Sequence, residues 1–318
     1  MHRATGLRYA VKVVDRRRLN KRGEDAVYRE VDMLGHIDFK TPGTIHLRQF
    51  FDEPTRFYIV TEYATGGSLL TRIRQKNGLP EEDTKNVIRS ILESLTVQHR
   101  NGTVHRNLKP DNILLNGQSA MIADYGLATR LYDPSTGRRM LITERCGTSA
   151  YVAPEILNKR PYDTQVDMWG VGIIAYMSLA GYPPFADEDK QALFSMISCA
   201  SYTFDARDWA GISRLAKKFV SSLLHVDPGV RMTAEEALEH PWLSLPPPPA
   251  PSIIELVDTS VLNDATLPTK KCIAKKRPRV WSKFLGSKKN ENGVDKIRDD
   301  GSASTRNTSV MSFAADKF

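Results

Sequence analysis

Apolar and polar positions near the start of the chain predict one strand followed by one helix. Residues 9–14 combine β-branched side chains with apolar alternation and predict a strand, in which apolar neighbours favour a partly buried stem for Lys12. Residues 24–37 repeat apolar side chains at helical spacing, and Glu30 lies on that stripe three residues after Val27. Because a carboxylate on a buried face requires a cation, the pattern predicts a positively charged partner for Glu30.

Two further strands and then a series of helices follow. Residues 45–51 and 57–63 have the pattern of strands, and the segment 52–55 between them contains turn-forming residues. From about residue 79 to Trp242 the pattern is mainly helical, interrupted by loops between residues 103 and 155. The sequence therefore predicts a strand-rich beginning and a larger helical part.

Length and charge separate this body from a C-terminal tail. The chain has 318 residues, more than one ordinary domain, and a formal net charge of +8. Residues 244–318 contain 13 Lys and Arg against 8 Asp and Glu, a net +5 that leaves +3 for the body. Five prolines between residues 246 and 251 predict a stiff spacer, and the polar sequence beyond them predicts disorder. The body is therefore not expected to bind nucleic acid or another polyanion.

Cysteine usage and hydropathy favour a reducing compartment and no membrane span. The 3 cysteines lie far apart without a Cys-x-x-Cys pair, as expected of reduced thiols in the cytoplasm or the nucleus. The first residues lack the pattern of a signal peptide. The most apolar run, residues 171–180, is too short to cross a bilayer.

A series of short motifs follows one order along the body. They are Lys12 on the first strand, Glu30 on the first helix, His105-Arg106-Asn107-Leu108-Lys109-Pro110-Asp111-Asn112, Asp124-Tyr125-Gly126 and Ala153-Pro154-Glu155. Each alone is short, but the set in this order is typical of protein kinases. Residues 1 to about 243 therefore resemble most of a serine/threonine protein kinase domain. The stretches 181–185 and 227–242 are similar to the calcium/calmodulin-dependent group.

The resemblance implies an α+β, two-lobed fold. Residues 1–63 would form a truncated small lobe of three strands and one helix, without the first two strands of the family. Residues 64–243 would form a mainly helical large lobe. Residues 244–252 would be a Pro-rich linker, and residues 253–318 a basic, disordered regulatory tail.

The resemblance also implies a site for ATP and Mg²⁺. Lys12 would contact the α- and β-phosphates and Glu30 would hold it, while Asp124 and Asn112 would be the two magnesium ligands. Hard oxygen donors of this kind are what Mg²⁺ accepts. The adenine would lie among residues of the hinge between the lobes and of the strands beside it: Ala10, Thr61, Glu62, Ala64 and Leu114.

The catalytic loop departs from the family at one position. Lys109 would steady the γ-phosphate, and Thr148 supports specificity for serine or threonine in a protein substrate. Asn107 stands where the family has its catalytic aspartate. An amide can hydrogen-bond the substrate hydroxyl but cannot take its proton, and loss of a general base costs about 10²- to 10⁴-fold in rate. Glu144 of the activation segment has two interpretations. It would either contact Arg106 or be an ordinary solvated glutamate, and we favour the solvated glutamate.

Three further expectations concern architecture and specificity. Glu155 would pair with Arg231, and Asp167 would accept hydrogen bonds from the backbone of the catalytic loop. Ser68 stands where relatives that prefer an upstream arginine carry a glutamate. Either basic substrates are recognised weakly, or Ser68 caps a helix.

The sequence before the first strand leaves the activity open. Eight residues precede Tyr9, and they contain no Gly-x-Gly-x-x-Gly loop. We expect an incomplete chain rather than a naturally shortened protein, because the first strand would otherwise have an unpaired edge. Three functions remain: a kinase that binds nucleotide and transfers phosphate poorly, a pseudokinase acting as scaffold or allosteric partner, and an active kinase whose upstream strands are missing.

The basic segment 270–289 is the candidate for a regulatory contact. It has nine Lys and Arg and no acidic residue, with Trp281, Phe284 and other apolar side chains between them. A solvated tail, a calmodulin-binding or autoinhibitory segment, a nuclear-import signal, and a contact with anionic membrane or nucleic acid all fit it. We expect a protein partner that presents Ser or Thr, calmodulin or another acidic partner at this segment, and cytoplasmic or nuclear localisation.

Overall fold

One antiparallel sheet forms the base of the small lobe. The computed structural model describes residues 6–133 and 135–244. Its sheet contains three strands in the order β1-β3-β2, which are β1 (Tyr9–Asp15), β2 (Leu47–Asp52) and β3 (Arg56–Glu62). A short 3-10 turn, Arg16–Arg18, follows β1. Each strand agrees with its predicted range to within two residues.

The pleat of β1 turns Lys12 toward the interior of the lobe. Val11 and Val13 are 40% and 46% exposed, whereas Lys12 and its neighbours on the other face, Ala10 and Val14, are partly buried. Consecutive side chains of a strand point to opposite faces. The predicted partly buried stem of Lys12 is confirmed, although the two valines point to the other face and do not cover it.

One helix, α1 (Lys21–His36), packs against the sheet. It begins three residues before the predicted start, because the side chain of Asn20 caps it by accepting a hydrogen bond from the backbone N–H of Gly23. Its buried face comprises Val27, Glu30, Met33 and Leu34. The predicted position of Glu30 on the apolar stripe is confirmed.

Helices make up most of the large lobe. In chain order they are α2 (Leu69–Lys76), α3 (Glu81–Arg100), α4 (Pro154–Leu157), α5 (Gln165–Ala180), α6 (Lys190–Ser198), α7 (Ala206–Trp209), α8 (Arg214–Leu223), α9 (Ala234–Glu239) and α10 (Pro241–Ser244). Two short antiparallel pairs carry the loops between α3 and α4: β4 (Thr103–Val104) with β7 (Thr129–Arg130), and β5 (Ile113–Asn116) with β6 (Ser119–Ile122). The predicted α+β architecture, with a sheet-based small lobe and a mainly helical large lobe, is confirmed.

The core of the large lobe is centred on α5. Residues 166–179 of this helix are buried throughout, and Trp169 stacks on Phe185 with 5.5 Å between ring centroids. The apolar run noted in the sequence is thus a core helix. Among the helices of the described residues, none has both the length and the apolar character needed to cross a membrane.

Two reciprocal pairs of backbone hydrogen bonds lie at the boundary between the lobes, of which the first joins the small lobe to the large lobe and the second holds the first residues of the large lobe to β5. At one point, Ile45 N–H donates to Ile122 O (2.9 Å) and Ile122 N–H donates to Gly43 O (2.8 Å). At the other, Gly66 N–H donates to Leu115 O (2.8 Å) and Leu115 N–H donates to Gly67 O (2.8 Å). The chain approaches so closely there that a Cβ on Gly66 would lie 2.7 Å from Leu115 O.

The predicted linker and tail lie outside the described residues, apart from Ser244. The boundaries proposed for them from the sequence therefore stay predictions.

Candidate functional site

A lysine, a glutamate and an aspartate from three elements converge between the lobes. Lys12 Nζ of β1 donates to Glu30 Oε2 (2.7 Å) and Oε1 (2.9 Å) of α1. The same ammonium lies 3.7 Å from Asp124 Oδ1. Burial by itself lowers the pKa of Lys12, but the two carboxylates outweigh it and raise that pKa above its ordinary value. The predicted cationic partner of Glu30 is confirmed, and it stays charged.

The backbone holds Asp124 in an uncommon conformation. Its φ is +66°, in the left-handed region that costs non-glycine residues free energy unless the surroundings impose it. The preceding residue is fixed on both sides, because Ala123 N–H donates to Asn112 O (2.9 Å) and His105 Nε2–H donates to Ala123 O (3.2 Å). Asp124 is thereby directed to the Lys12 side of the cleft.

A buried aspartate anchors the loop that carries the other candidate residues. Asp167 of α5 is 1% exposed, and its carboxylate accepts from the backbone N–H of His105 (2.9 Å) and of Arg106 (2.8 Å) and from His99 Nε2 (3.0 Å). Burial raises the pKa of Asp167, but the His99 contact and these backbone donors bring the pKa below its usual value. The predicted structural role of Asp167 is confirmed.

Asn107, Lys109 and Thr148 are brought together by two hydrogen bonds. The Thr148 hydroxyl donates to Asn107 Oδ1 (3.1 Å), and Lys109 Nζ donates to Thr148 Oγ1 (3.0 Å). A third bond connects this group to a candidate metal ligand, because Asn112 Nδ2 donates to Asn107 O (2.9 Å). The Asn107 side chain therefore accepts a hydroxyl hydrogen bond from within the chain itself.

Arg106 connects the catalytic loop to the activation segment. Its side chain is 1% exposed, and it donates through Nε to Leu127 O (2.6 Å) and through Nη1 to Glu144 Oε2 (2.9 Å). The hydroxyl of Tyr162 donates to Glu144 O (2.5 Å) and also contacts Arg106 Nη1 (3.4 Å). Glu144 is thus engaged rather than merely solvated, contrary to the interpretation we favoured. The sequence did not indicate Tyr162, which carries no motif.

The second predicted ion pair lies beneath the same segment. Arg231 Nη1 and Nη2 donate to Glu155 Oε1 (2.6 Å) and Oε2 (2.7 Å), and both side chains are buried. This paired, two-bond geometry is the strong form of an arginine–carboxylate contact. The predicted pair is confirmed.

The other uncertain residue, Ser68, caps α2 by accepting a hydrogen bond from Thr71 N–H (3.3 Å), which favours its structural role.

The residues predicted to surround adenine lie on elements next to the hinge. Ala10 of β1 pairs with Thr61 of β3, and Leu114 lies on β5, where it forms a bridge with Ser68. The Glu62 carboxylate is occupied by His46 and Arg48, and the Glu62 backbone N–H donates to His46 O at 3.2 Å. Ala64 follows β3 in the connection between the lobes. Their role in adenine binding stays a prediction.

The oxygen donors present suit magnesium rather than a transition metal. In the part of the chain that the structure describes, no group of three or more His, Cys, Asp and Glu is placed to hold a metal ion. Asn112 and Asp124 supply one amide and one carboxylate oxygen. Mg²⁺ is commonly bound in this way, by one or two protein oxygens together with substrate phosphates and water. The residues therefore fit Mg²⁺ bound to a nucleotide.

The fold and this cleft define a protein kinase. Residues 1–243 match the family model described as protein kinase domain, so the chain belongs to the protein kinase family.

Similar proteins place it near the calcium/calmodulin-dependent serine/threonine kinases. It is 42% identical over 243 residues to "Calcium/calmodulin-dependent protein kinase type 1" of Caenorhabditis briggsae, covering 75% of this chain and 66% of that protein. It is 39% identical over 246 residues to "Myosin light chain kinase A" of Dictyostelium discoideum, covering 76% and 81%. The matched part thus spans about two thirds of the first relative.

Proposed function

We propose that this protein binds Mg²⁺-ATP and transfers its γ-phosphoryl group slowly to serine or threonine of a protein substrate. Membership of the protein kinase family supports the reaction class and the use of ATP and Mg²⁺. The arrangement of Asn107 supports the slow rate. The bound nucleotide would supply the phosphoryl group and its metal ion the charge neutralisation, and the residues of this chain would position both.

The ion pair of Lys12 with Glu30 supports the proposed binding of Mg²⁺-ATP. Lys12 keeps its charge through Glu30, and it lies where an ammonium and the Asp124 carboxylate face one cleft. An ammonium for the phosphates and oxygen donors for the metal are the groups that phosphoryl transfer requires. Asn112 would supply the second metal oxygen, since its Nδ2 is already engaged with the backbone of Asn107.

The amide side chain of Asn107 is the main support for a slow rate of phosphoryl transfer. Its Oδ1 accepts a hydrogen bond from a threonine hydroxyl at 3.1 Å, so a substrate hydroxyl can be oriented by the same atom. A neutral amide cannot accept the proton that leaves this hydroxyl. Positioning and metal electrostatics would leave a reduced rate, about 10²- to 10⁴-fold below that of an aspartate at this position.

Two alternatives use the same geometry. A pseudokinase would bind nucleotide and partner proteins without phosphoryl transfer. The amide at Asn107 favours this alternative because it cannot accept the proton of a substrate hydroxyl. An active kinase with further strands upstream would need transfer to proceed despite the amide.

Phosphoryl-transfer measurements on four proteins separate these cases. We expect weak transfer of radiolabel from ATP to a protein substrate by the wild type, and a rate higher by about 10²-fold or more in Asn107→Asp. Lys12→Met added to Asn107→Asp should return the rate to background. Asn86→Asp, at a partly buried position of α3, is the matched control, since it makes the same chemical change away from the cleft, and it should leave the rate unchanged.

The outcomes are distinct. Equal and robust rates in wild type and Asn107→Asp would reject impairment and favour an active kinase. Nucleotide binding without transfer in either protein would favour the scaffold. If nucleotide fails to bind even to the wild type, the proposal of a Mg²⁺-ATP site is wrong.

The regulatory partner is a separate proposal. We propose calmodulin or another acidic protein as the partner of residues 270–289, which lie outside the described residues, and a cytoplasmic or nuclear location. The support is the basic composition of that segment and the name of the relatives that are calcium/calmodulin-dependent. Capture of a 265–290 peptide by calmodulin only when calcium is present is the expected result, and calcium-independent or absent capture would reject calmodulin.

A further inference from the structure

One arginine joins three parts of the small lobe. Arg16 directly follows β1, and its guanidinium donates to the Glu24 carboxylate of α1 through Nε (3.1 Å) and Nη2 (3.2 Å). Its Nη1 donates to Asp52 at the end of β2 (2.8 Å), and its Cζ lies 4.8 Å from the ring centroid of Phe57 in β3. The backbone N–H of Arg16 donates to Thr55 O (3.0 Å), in the turn between β2 and β3. Arg16 therefore connects the end of β1 to α1 and to the β2–β3 hairpin.

A tyrosine makes a second contact between α1 and the same hairpin. The Tyr28 hydroxyl donates to the Asp52 carboxylate at 2.5 Å, and the Tyr28 ring lies edge-on to Phe50 and Phe57, with centroids 6.1 and 5.5 Å away. The hydrogen bond to Asp52 raises the pKa of the Tyr28 hydroxyl above its ordinary value, so this group stays a donor. Because Tyr28 lies one turn after Glu24, one flank of α1 is attached to the hairpin at two points.

The next arginine along the chain makes an ordinary surface pair. Arg17 is 66% exposed, and it pairs with Asp15, two residues before it on the same segment. Such a pair contributes little and connects no separate elements. The Arg16 and Glu24 side chains are each 29% exposed and belong to different elements. Charges that form a network keep their geometry better than an isolated pair, so Arg16 is suited to fix the position of α1 and Arg17 is not.

The position of α1 matters because the same segment carries a second cation. Lys12 precedes Arg16 by four residues and binds Glu30, which lies six residues after Glu24 on α1. Six residues advance a helix by about 9 Å and turn it by about 240°, so the two contacts lie on different flanks of α1. A helix attached on one flank can turn about its long axis more easily than one attached on both. Loss of the Arg16 contacts would therefore let α1 turn and carry the Glu30 carboxylate away from Lys12.

We propose that Arg16 is a positioning residue that holds α1 so that Glu30 stays in contact with Lys12. The consequence for nucleotide binding rests on the proposed function, because Lys12 contacts phosphates only when a nucleotide occupies the cleft. Arg16 acts through the lysine and not through the candidate metal ligands. A defect in Arg16 should therefore appear without Mg²⁺ as well as with it.

The rate at which acetic anhydride acetylates Lys12 tests the positioning in the absence of nucleotide. Burial lowers the pKa of Lys12, but nearby carboxylates, Glu30 foremost, outweigh it and raise that pKa, which reduces the fraction of reactive free amine. In Arg16→Gln we expect mass spectrometry at a fixed alkaline pH to show about two- to fivefold faster acetylation of Lys12. Arg17→Gln is the matched control, since it removes the adjacent arginine, and Lys12 should then react at the wild-type rate.

Hydrogen exchange gives a second measurement without nucleotide. We expect amides 24–31 to exchange about two- to fivefold faster in Arg16→Gln and at the wild-type rate in Arg17→Gln. Tyr28→Phe removes only a hydroxyl and keeps the ring contacts, so it should give a smaller increase in a protein that still folds. Faster exchange with unchanged acetylation of Lys12 would show a merely structural contact and would overturn the proposal, as would unchanged exchange in both Arg16→Gln and Tyr28→Phe.

Binding of adenylyl imidodiphosphate separates this inference from the proposed function. We expect the affinity of Arg16→Gln to fall about two- to fivefold both in Mg²⁺ and in EDTA. Arg16→Lys, which keeps the charge but loses the forked geometry, should lie between that variant and the wild type. If the wild type fails to bind nucleotide, the proposed function is wrong, but faster acetylation of Lys12 in Arg16→Gln would still support positioning. If the wild type binds and Arg16→Gln binds equally well, the positioning role is refuted.

Discussion

Substitution of Glu144 by alanine should loosen the activation segment without unfolding the protein. The Glu144 carboxylate contacts Arg106 Nη1 at 2.9 Å, and the two side chains differ in exposure, at 63% for Glu144 and 1% for Arg106. Glu144→Ala leaves the guanidinium with its bonds to Leu127 O and to the Tyr162 hydroxyl. The arginine therefore stays partly satisfied, and the loss falls mainly on the segment that carries Glu144.

The free energy that the Glu144–Arg106 contact contributes should lie between two reference cases. Exposed ion pairs contribute about 0–1 kcal/mol, and hydrogen bonds to charged groups in buried surroundings contribute about 1.5–3 kcal/mol. One partner is buried here and the other is in water, so we expect about 1 kcal/mol. At that value the opening equilibrium of the segment increases about fivefold.

Hydrogen exchange of amides 142–150 measures this opening directly. We expect about fivefold faster exchange in Glu144→Ala at low ionic strength, and a smaller difference in about 0.5 M salt, because salt screens the exposed carboxylate. Glu235→Ala is the control, since it removes the Arg100–Glu235 pair, which has the same type of contact at 3.0 Å on another surface. Equal exchange of the segment in wild type and Glu144→Ala would show that the contact does not order it.

Two further predictions concern stability. Arg231→Met leaves the Glu155 carboxylate buried without its partner and should lower the free energy of unfolding, measured by urea titration, by about 3–5 kcal/mol. The double variant Arg231→Met/Glu155→Leu should recover much of this loss. A loss below about 1 kcal/mol in Arg231→Met would contradict a buried pair. Burial lowers the pKa of His105, so the unfolded chain binds more protons below its ordinary pKa of about 6.5, and the free energy of unfolding should fall from about pH 7 to about pH 5.5. His105→Phe should flatten this slope, and an unchanged slope would assign the titration elsewhere.

The order of the elements and the ion pairs could be predicted because short-range patterns encode them. The helical stripe of α1 included Glu30, and a carboxylate on an apolar face implies a cation, which Lys12 supplies. Family motifs placed Asp167 and the Glu155–Arg231 pair correctly. Each of these inferences depends on residue type within one element or on a motif of a few residues.

Features that depend on three-dimensional packing were missed. The two valines of β1 are apolar yet face outward, because Lys12 must face α1 and its strand neighbours then lie on the other side. Gln98 lies in an apolar part of α3 and gives no sign that a tyrosine 27 residues later will bind it. The Glu144 contact was underestimated, since Tyr162, which also holds that segment, carries no motif.

The two reciprocal hydrogen-bonded pairs at the lobe boundary restrict how the lobes can move relative to each other. One pair fixes residues 43–45 to Ile122, and the other fixes residues 66–67 to Leu115. The first pair anchors the small lobe to the large lobe at one place, and the second fixes the large-lobe end of the covalent connection. Rotation of the small lobe about the line through these two places keeps both pairs intact, whereas sliding would break the bonds to Ile122. Opening and closing of the cleft should therefore be a rotation of the small lobe, with the change in backbone angles concentrated in residues 63–65.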